Sequence, residues 1–276
     1  MTRTLRLAGA QMGPNQKADS REAILARMIA LLEQAAAAGA KMVVFPELPL
    51  TTFFPRWLFT DQAELDSYFE REMPNPRVQP LFDRARALGV GFYLGYAELT
   101  PHGKRYNTSI TVGPDGSVLG KYRKIHLPGT VEPREGDRFQ QLEKRYFEYG
   151  DLGFPAFRGP DAWGRPVLGM LICNDRRWPE AWRCYGLQGI ELMLIGYNSA
   201  AYDPTFRGIS RSQQHTQQVP LLPTSTLLSS DPSYFEKMLK EWSHSITQRS
   251  HGPGAAAPAS QPAVCLPSVF QIDVDD

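Results

Sequence analysis

The start of the chain alternates between strand-like and helix-like patterns, and this order restricts the fold more than any other feature. An apolar run at residues 5–12 is followed by residues 21–38, where apolar side chains recur at helical spacing. Gly39 can end that helix, and residues 42–45 form a second short apolar run. A strand–helix–strand unit requires parallel pairing and a right-handed crossover. We therefore expect an α/β fold that places ligands at the carboxyl ends of its strands.

Later segments continue this mixed pattern. A second amphipathic helix is predicted at residues 80–88 and a buried strand at residues 91–96. Two apolar runs, at residues 106–112 and 117–122, flank a Gly-Pro-Asp-Gly turn and predict a β-hairpin. The remaining predicted elements are a loop at residues 143–151, a strand at 167–172, a helix at about 179–187 and a strand at 191–197.

Residues 51–59 are rich in aromatic side chains and are interrupted by Pro55. We interpret this segment as a loop that covers a pocket. Aromatic loops also serve as plain packing, and that alternative carries equal weight.

Composition limits the class of protein. The chain has 276 residues, of which 42% are hydrophobic, so it can bury a sizeable core in one large domain or in two. A formal net charge of +1 gives no electrostatic reason to bind nucleic acid or a membrane surface. The three cysteines, Cys173, Cys184 and Cys265, lack metal-ligand spacing. Such a sparse, odd set indicates reduced thiols and a cytoplasmic location.

The pattern changes after about residue 205. Residues 206–276 are rich in Ser, Gln, Thr and Pro, and strand-like alternation almost disappears. One helix is predicted at residues 234–242, and residues 251–267 are expected to be disordered. The longest uncharged stretch, residues 250–272, contains four prolines and is not expected to be a membrane helix. We therefore divide the chain into a domain over residues 1–205 and a divergent, largely irregular tail over residues 206–276.

Cys173 stands at the end of an apolar run and before a turn. The polar residues that follow it are Asn174, Asp175, Arg176 and Arg177. Pro179 then suits the first position of a helix. A helix N-terminus and two arginines would lower the pKa of the thiol and favour a nucleophilic thiolate. On this stretch alone, a small buried core residue is an equally good interpretation of Cys173. Cys184, in the following helix, is interpreted as packing.

Two more residues occupy comparable places, Glu47 after the run at 42–45 and Lys124 after the second hairpin strand. A carboxylate can take the proton of a thiol, and a lysine can stabilise the oxyanion of a tetrahedral intermediate. Because strand ends can meet at one edge of a sheet, Glu47, Lys124 and Cys173 can share one site. Composition permits this triad without establishing it. A turn carboxylate and a solvated lysine are the ordinary interpretations of Glu47 and Lys124.

The segments around these three residues resemble the nitrilase superfamily of carbon–nitrogen hydrolases. They are Phe-Pro-Glu at 45–47, Tyr-Arg-Lys-Ile-His-Leu at 122–127 and Cys-Asn-Asp-Arg-Arg-Trp-Pro at 173–179. Within the superfamily, the chain most resembles the N-carbamoyl-D-amino-acid amidohydrolases. That similarity rests on residues 50–57, 121–129, 142–148, 150–154, 173–182 and 196–198. It covers residues 1 to about 205, and several long motifs in the right order make it specific.

The resemblance implies a nitrilase-like four-layer α-β-β-α sandwich. The later helix and strands of that fold are not recognisable after about residue 205, so we expect the sandwich to be incomplete or perturbed there. Missing layers would leave apolar sheet faces and strand edges uncovered. The abrupt loss of resemblance and of hydrophobic periodicity motivates the hypothesis of a shifted reading frame or an aberrant gene model near this point.

The resemblance also implies a reaction and a set of site residues. An N-carbamoyl-D-amino acid would be hydrolysed to the D-amino acid, carbon dioxide and ammonia through a covalent thiol intermediate, without a metal or an organic cofactor. Cys173 matches the nucleophile, Glu47 the general base and Lys124 the lysine that stabilises the oxyanion. Glu143 matches a further glutamate near the site. Arg176 and Arg177 stand where the family binds the substrate carboxylate, and Asn174 and Asn198 match pocket residues. The only implied partners are the small-molecule substrate and further copies of the chain in a homo-oligomer.

Several of these residues have plainer interpretations. Arg176 and Arg177 could pair with Asp175 and Glu180, and Glu143 could be a surface charge. His126 lies two residues from Lys124 and therefore on the same face of a strand. We include it among the substrate-binding candidates, with a structural role as the alternative.

Three other functions are weighed against this one. The first is another amidase, or a ureidopropionase-like hydrolase, of the same superfamily. The Arg176–Arg177 pair discriminates here, because a substrate without a carboxylate has little use for it. The second is an inactive remnant that keeps the site but lacks a competent fold. A thiol redox protein is disfavoured, because the chain has no Cys-x-x-Cys sequence.

Overall fold

A computed structural model describes residues 3–137, 140–198, 221–223 and 267–274. The α-helices are α1 (Arg21–Ala37), α2 (Gln62–Asp66), α3 (Gln79–Leu88), α4 (Glu143–Tyr146) and α5 (Pro179–Leu187). The strands are β1 (Arg3–Ala10), β2 (Met42–Val44), β3 (Gly91–Leu99), β4 (Arg105–Val112), β5 (Val118–Arg123), β6 (Phe157–Arg158), β7 (Val167–Ile172), β8 (Leu192–Gly196), β9 (Leu221–Pro223) and β10 (Pro267–Val274). Short 3₁₀ helices lie at Phe54–Arg56, Asp161–Trp163 and Cys173–Arg177.

Six strands form the first sheet, in the order β10-β1-β2-β3-β4-β5. The strands β1, β2 and β3 are parallel, as the opening pattern predicts, and the β4–β5 hairpin continues the sheet in antiparallel pairing. The crossover helix α1 begins where the side chain of Ser20 accepts a hydrogen bond from the Ala23 N–H. It ends before Gly39, whose φ of 83° suits glycine.

Side chains alternate along the first sheet and enter two separate cores. On β2, Val43 packs in the core that contains buried residues of α1 and α3. Its neighbours Met42 and Val44 point the other way and pack in a core shared with the second sheet. The strands are therefore buried on both faces, which explains their nearly continuous apolar sequences.

The second sheet has the order β6-β7-β8-β9 and packs face to face with the first. The Tyr93 hydroxyl of β3 donates to the Leu171 carbonyl of β7 at 3.2 Å and thus joins the two sheets. On the far side, a Cβ at Gly169 would lie 2.8 Å from the ring of Tyr185, so this glycine lets α5 pack closely. The resulting order is helices, sheet, sheet, helix. The expectation of an α/β four-layer sandwich is confirmed in the part of the chain that is described.

Two features differ from the sequence-based prediction. The loop predicted at residues 143–151 begins with the helix α4. The strands β9 and β10 lie within the tail that the sequence pattern predicts to be largely irregular. β10 pairs antiparallel with the whole of β1, and backbone hydrogen bonds to a neighbouring strand need no local alternation of side chains. The helix predicted at 234–242 and most of the segment 251–267 lie outside the described residues. In the described ranges, no helix is long and apolar enough to cross a membrane.

The aromatic segment at residues 51–59 contributes to a third core. Phe53, Phe54 and Phe59 are buried there beside α4. The Tyr146 hydroxyl of α4 donates to the Trp57 carbonyl at 2.8 Å and accepts from the Phe59 N–H at 2.9 Å. The packing interpretation therefore holds for the three phenylalanines, and these contacts attach the segment to the helix that begins with Glu143.

Candidate active site

The ends of three strands bring the predicted triad to one edge of the sandwich. Glu47 follows β2 after a short loop, Lys124 directly follows β5, and Cys173 directly follows β7. The ammonium nitrogen of Lys124 lies 2.7 Å from Oε1 of Glu47 and 2.6 Å from Oε2 of Glu143. The side chains of Lys124, Glu47 and Glu143 have no exposed surface. A turn carboxylate, a solvated lysine and a surface glutamate are therefore the wrong interpretations of these residues.

Asn107 of β4 donates hydrogen bonds to both carboxylates. Its side-chain amide donates to Oε1 of Glu47 at 2.8 Å and to Oε2 of Glu143 at 3.4 Å. Its carbonyl accepts from the Lys124 N–H at 2.8 Å, so the same residue also holds the backbone of the lysine. Asn107 is not recognisable from the sequence, because an amide inside a hairpin strand carries no separate local signal.

The cluster places one cation between two carboxylates. Burial by itself lowers the pKa of Lys124, but the carboxylates of Glu143 and Glu47 outweigh burial and hold that pKa well above its usual value. Burial raises the pKa of Glu143 to about 7, with a further rise from Glu47 and an opposing effect of Lys124. Lys124 therefore remains charged, while Glu143 can exchange a proton near neutral pH.

Cys173 occupies a strained backbone position at the turn after β7. Its φ is 49°, in the left-handed region that residues other than glycine rarely adopt. Burial raises the pKa of the thiol to about 12, and Glu47 adds to this rise against the opposing effects of Lys124 and Arg176. The prediction that the arginines and the helix start lower this pKa was wrong, because it considered neither the burial of the thiol nor the negative charge of Glu47. Cys173 therefore needs a base to become a thiolate.

A buried carboxylate fixes this turn against the segment after Lys124. Oδ1 of Asp175 accepts from the backbone N–H of His126 and from its Nδ1, both at 2.8 Å. Oδ2 of Asp175 accepts from the Ile172 N–H at 3.2 Å. The side chain of Asn174 donates to the His126 carbonyl at 3.0 Å. The His126 ring also stacks on Trp178 at 4.9 Å. These contacts support a structural role for His126 rather than substrate binding. The side chain of Asn174 likewise helps to fix the turn after Cys173.

The two arginines after Cys173 differ in their surroundings. Arg176 donates to the Cys173 carbonyl at 2.7 Å, and its guanidinium lies 4.7 Å from the centre of the Tyr197 ring. Arg177 is exposed. Within the described residues, no ion pair joins either arginine to Asp175 or Glu180, so the pairing interpretation is wrong. Asp175 is instead buried and bonded to His126.

Asn198 binds the carboxylate of Glu47, and two glycines let the loop that carries Glu47 pass close to neighbouring strands. The Asn198 N–H donates to Oε2 of Glu47 at 3.1 Å. A Cβ at Gly196 would lie 2.9 Å from the Phe45 carbonyl oxygen, and a Cβ at Gly95 would lie 3.1 Å from the Leu48 nitrogen. The loop that carries Glu47 thus passes between two strands that have no side chain at the point of contact.

The other cysteines have different outcomes. Cys184 is exposed rather than packed, because α5 buries Ala181 and Tyr185 and turns Cys184 toward solvent. Cys265 lies outside the described residues. Among the residues that the structure describes, no group of three or more His, Cys, Asp or Glu side chains is arranged to hold a metal ion.

Comparison with known families agrees with the fold and the site. The sequence model of the carbon-nitrogen hydrolase family matches residues 6–229. The chain therefore belongs to the carbon-nitrogen hydrolase family, the superfamily that the strand-end motifs indicate. The match extends beyond residue 205, where the recognisable motifs end.

Several named proteins that the sequence is similar to are amidases. N-carbamoylputrescine amidase of Arabidopsis thaliana is 32% identical over 192 residues, which is 68% of this chain and 57% of that protein. Omega-amidase NIT2 of Homo sapiens is 27% identical over 245 residues, which is 86% of this chain and 79% of that protein. The chain thus aligns with about half the length of the plant amidases.

Solved structures share the fold at lower identity. A carbon-nitrogen hydrolase from Helicobacter pylori G27 has a TM-score of 0.58 and 24% identity, with 76% of this chain and 64% of that chain covered. An amidase from Nesterenkonia sp. AN1, in complex with butyramide, has a TM-score of 0.56 and 22% identity, with 74% and 69% covered.

Proposed function

We propose that this protein is a cysteine-dependent amidohydrolase that cleaves carbon–nitrogen bonds other than peptide bonds. The observation that carries the proposal is the buried cation of Lys124 between the carboxylates of Glu47 and Glu143, at the strand edge where Cys173 stands. A buried cation suits a reaction that develops negative charge on a carbonyl oxygen. A thiol with a raised pKa needs a base, and a neighbouring carboxylate can serve as one.

The proposed reaction begins with attack of the Cys173 sulfur on the substrate carbonyl carbon. Glu47 takes the thiol proton, and Lys124 stabilises the oxyanion. The tetrahedral intermediate collapses when a carbon–nitrogen bond breaks, and the leaving nitrogen departs with a proton. Glu143, whose pKa is raised to about 7, can move that proton or orient the water. Water then attacks the thioester carbon, and the carbon–sulfur bond breaks to restore the thiol.

The finer proposal is that the substrate is an N-carbamoyl-D-amino acid, with the D-amino acid, carbon dioxide and ammonia as products. The guanidinium groups of Arg176 and Arg177 support it, because arginine forks match the geometry of a carboxylate. Their charge disfavours a cationic substrate such as the protonated amine of N-carbamoylputrescine. The runner-up is another amidase of the family, and the names of the plant and human relatives favour that candidate.

One experiment separates these candidates. Ammonia release is measured with N-carbamoyl-D-phenylglycine, its L-enantiomer, N-carbamoylputrescine and butyramide. We expect D-selective release that is lost in Cys173→Ala and kept in the control Cys184→Ala. Turnover of N-carbamoylputrescine or butyramide equal to that of the D-substrate would refute the carbamoyl-D-amino-acid assignment. No release from any substrate, by protein that melts cooperatively, would refute the amidohydrolase proposal.

The alternative of an inactive remnant is tested by thermal melting. A cooperative transition opposes it, and the absence of one supports it. The division into a domain over residues 1–205 and a tail over residues 206–276 stays a proposal. Resequencing the gene tests the hypothesis of a shifted frame. An intact frame would refute the frame hypothesis.

We also propose that the protein acts as a cytoplasmic homo-oligomer that binds neither nucleic acid nor membranes. The resemblance to the family supports the oligomer, the sparse thiols support the compartment, and the net charge of +1 supports the absence of such partners. Light scattering coupled to size-exclusion chromatography tests the assembly, and a monomer would refute it.

A further inference from the structure

Arg56 is a third arginine beside the site. It lies within the motif at residues 50–57, but the sequence assigns it no role. It is the last residue of the 3₁₀ helix Phe54–Arg56, within the aromatic segment at residues 51–59. The Pro55 carbonyl accepts from the Leu142 N–H at 2.9 Å, next to Glu143. The backbone that presents Arg56 is therefore fixed to the same helix that places Glu143.

The side chain of Arg56 contacts a residue that binds Glu47. Its Nη2 lies 3.4 Å from Oδ1 of Asn198, whose backbone N–H binds Glu47. Its guanidinium carbon lies 5.4 Å from the centre of the Phe53 ring, so an aromatic face supports the group. Burial lowers the pKa of Arg56, while Glu47, Cys173 and Glu143 act in the opposite direction. The guanidinium of Arg56 is therefore partly removed from water and interacts electrostatically with Glu47, Cys173 and Glu143.

Arg56 and Arg176 make different contacts around Cys173. Arg176 binds the Cys173 carbonyl and so is partly engaged in holding the turn. One of the contacts of Arg56 is to the amide oxygen of Asn198, a neutral acceptor at 3.4 Å. A carboxylate accepts a stronger, charge-assisted hydrogen bond than an amide oxygen does. A carboxylate on the substrate can therefore replace the contact between Arg56 and Asn198.

We propose that Arg56 is a specificity-determining residue that binds the carboxylate of the substrate and selects anionic over neutral substrates. This inference rests on the proposed function, because it names a group that recognises the substrate of the same site.

The test compares binding of a charged and a neutral ligand to a variant that cannot react. Calorimetry gives the Kd of N-carbamoyl-D-phenylglycine and of its uncharged carboxamide for Cys173→Ala, alone and combined with Arg56→Gln or Arg56→Lys. Loss of one charge-assisted contact should raise the Kd of the acid about 10- to 100-fold. The Kd of the carboxamide should stay within about twofold. The Kd of the acid for the Arg56→Lys variant should lie between that of the Cys173→Ala parent and that of the Arg56→Gln variant, because lysine keeps the charge without the forked donors of arginine.

The matched control is Arg183→Gln, which removes one positive charge from an exposed position of α5. It should change neither Kd. Equal changes for acid and carboxamide in Arg56→Gln would overturn the inference, and so would an unchanged preference for the acid. Failure of the proposed function shows separately, as absence of ammonia release by the unmodified protein. If Arg56→Gln melts without cooperativity, Arg56→Lys supplies the comparison, and a Kd for the acid that matches the parent's would then overturn the inference.

Discussion

Replacing Lys124 by methionine should destabilise the protein strongly at alkaline pH and much less at acidic pH. Methionine has a similar length and a flexible chain, so the change mainly removes the charge. Lys124 is the cation that lies within 2.7 Å of both Glu47 and Glu143, and all three side chains are fully buried. Without it, two buried carboxylates face each other with Asn107 as their shared donor.

The expected magnitude comes from the cost of an unpaired buried charge. Removing one partner of a buried ion pair costs about 3–5 kcal/mol, and we expect this loss in the free energy of unfolding at pH 8.5. The pKa of Glu143 is already raised to about 7 with Lys124 present. Because Lys124 opposes that rise, the pKa must go higher in the variant. A raised folded-state pKa stabilises the fold below the unfolded value of about 4.3, and this contribution is lost as the pH rises through the folded value.

Urea unfolding followed by circular dichroism at pH 5, 7 and 8.5 tests this reasoning. The deficit of Lys124→Met should shrink to about 1–2 kcal/mol at pH 5, where protonation removes a carboxylate charge. Adding Glu143→Gln should restore much of the loss at pH 8.5. The control Lys121→Met lies on β5, the strand that Lys124 follows. It breaks a partly exposed pair with Glu98 and should cost about 1 kcal/mol or less. A deficit for Lys124→Met below about 1 kcal/mol at pH 8.5, or one independent of pH, would refute the argument.

Other contacts near the site give three more predictions. Gly196→Ala places a Cβ 2.7 Å from the Tyr93 ring and should lower the free energy of unfolding in urea by about 1–3 kcal/mol. The control Gly186→Ala, whose Cβ would have nothing within 4 Å, should be neutral or stabilising. Equal effects of the two variants would contradict this prediction. Asp175→Asn removes a buried charged acceptor and should lower the free energy of unfolding by about 2 kcal/mol. It should also lower kcat, with a smaller change in KM. An unchanged kcat would contradict the bracing role of Asp175. Iodoacetamide should label the exposed Cys184 before Cys173, as followed by peptide mass spectrometry. The labelling rate of Cys173 should rise about tenfold per pH unit from pH 7 to 10, because burial raises the pKa of its thiol to about 12. A plateau in this rate below pH 9 would argue against that pKa.

The sequence predicted the position of the site better than its electrostatics. Cys173 and Lys124 were recognisable because each directly follows an apolar strand, and such transitions are local features of the chain. Asn107 was not, because it lies inside a hairpin strand, and the aromatic segment around Arg56 gives no local sign of that arginine's role. The direction of the thiol pKa was predicted wrongly from the neighbouring arginines. Burial and the charge of Glu47, which is 126 positions away in sequence, outweigh them.

The amino-acid sequence by itself determined the order of helices and strands over the first part of the chain, the α/β class, and the three strand ends that carry Glu47, Lys124 and Cys173. Periodicity and turn chemistry depend on near neighbours, so they can be read along the chain. Only the tertiary structure decided that Lys124 stands between two buried carboxylates, that Asp175 braces the turn after Cys173, and that β10 pairs with β1. Those outcomes depend on distances through space and on the exclusion of water, which no local pattern specifies.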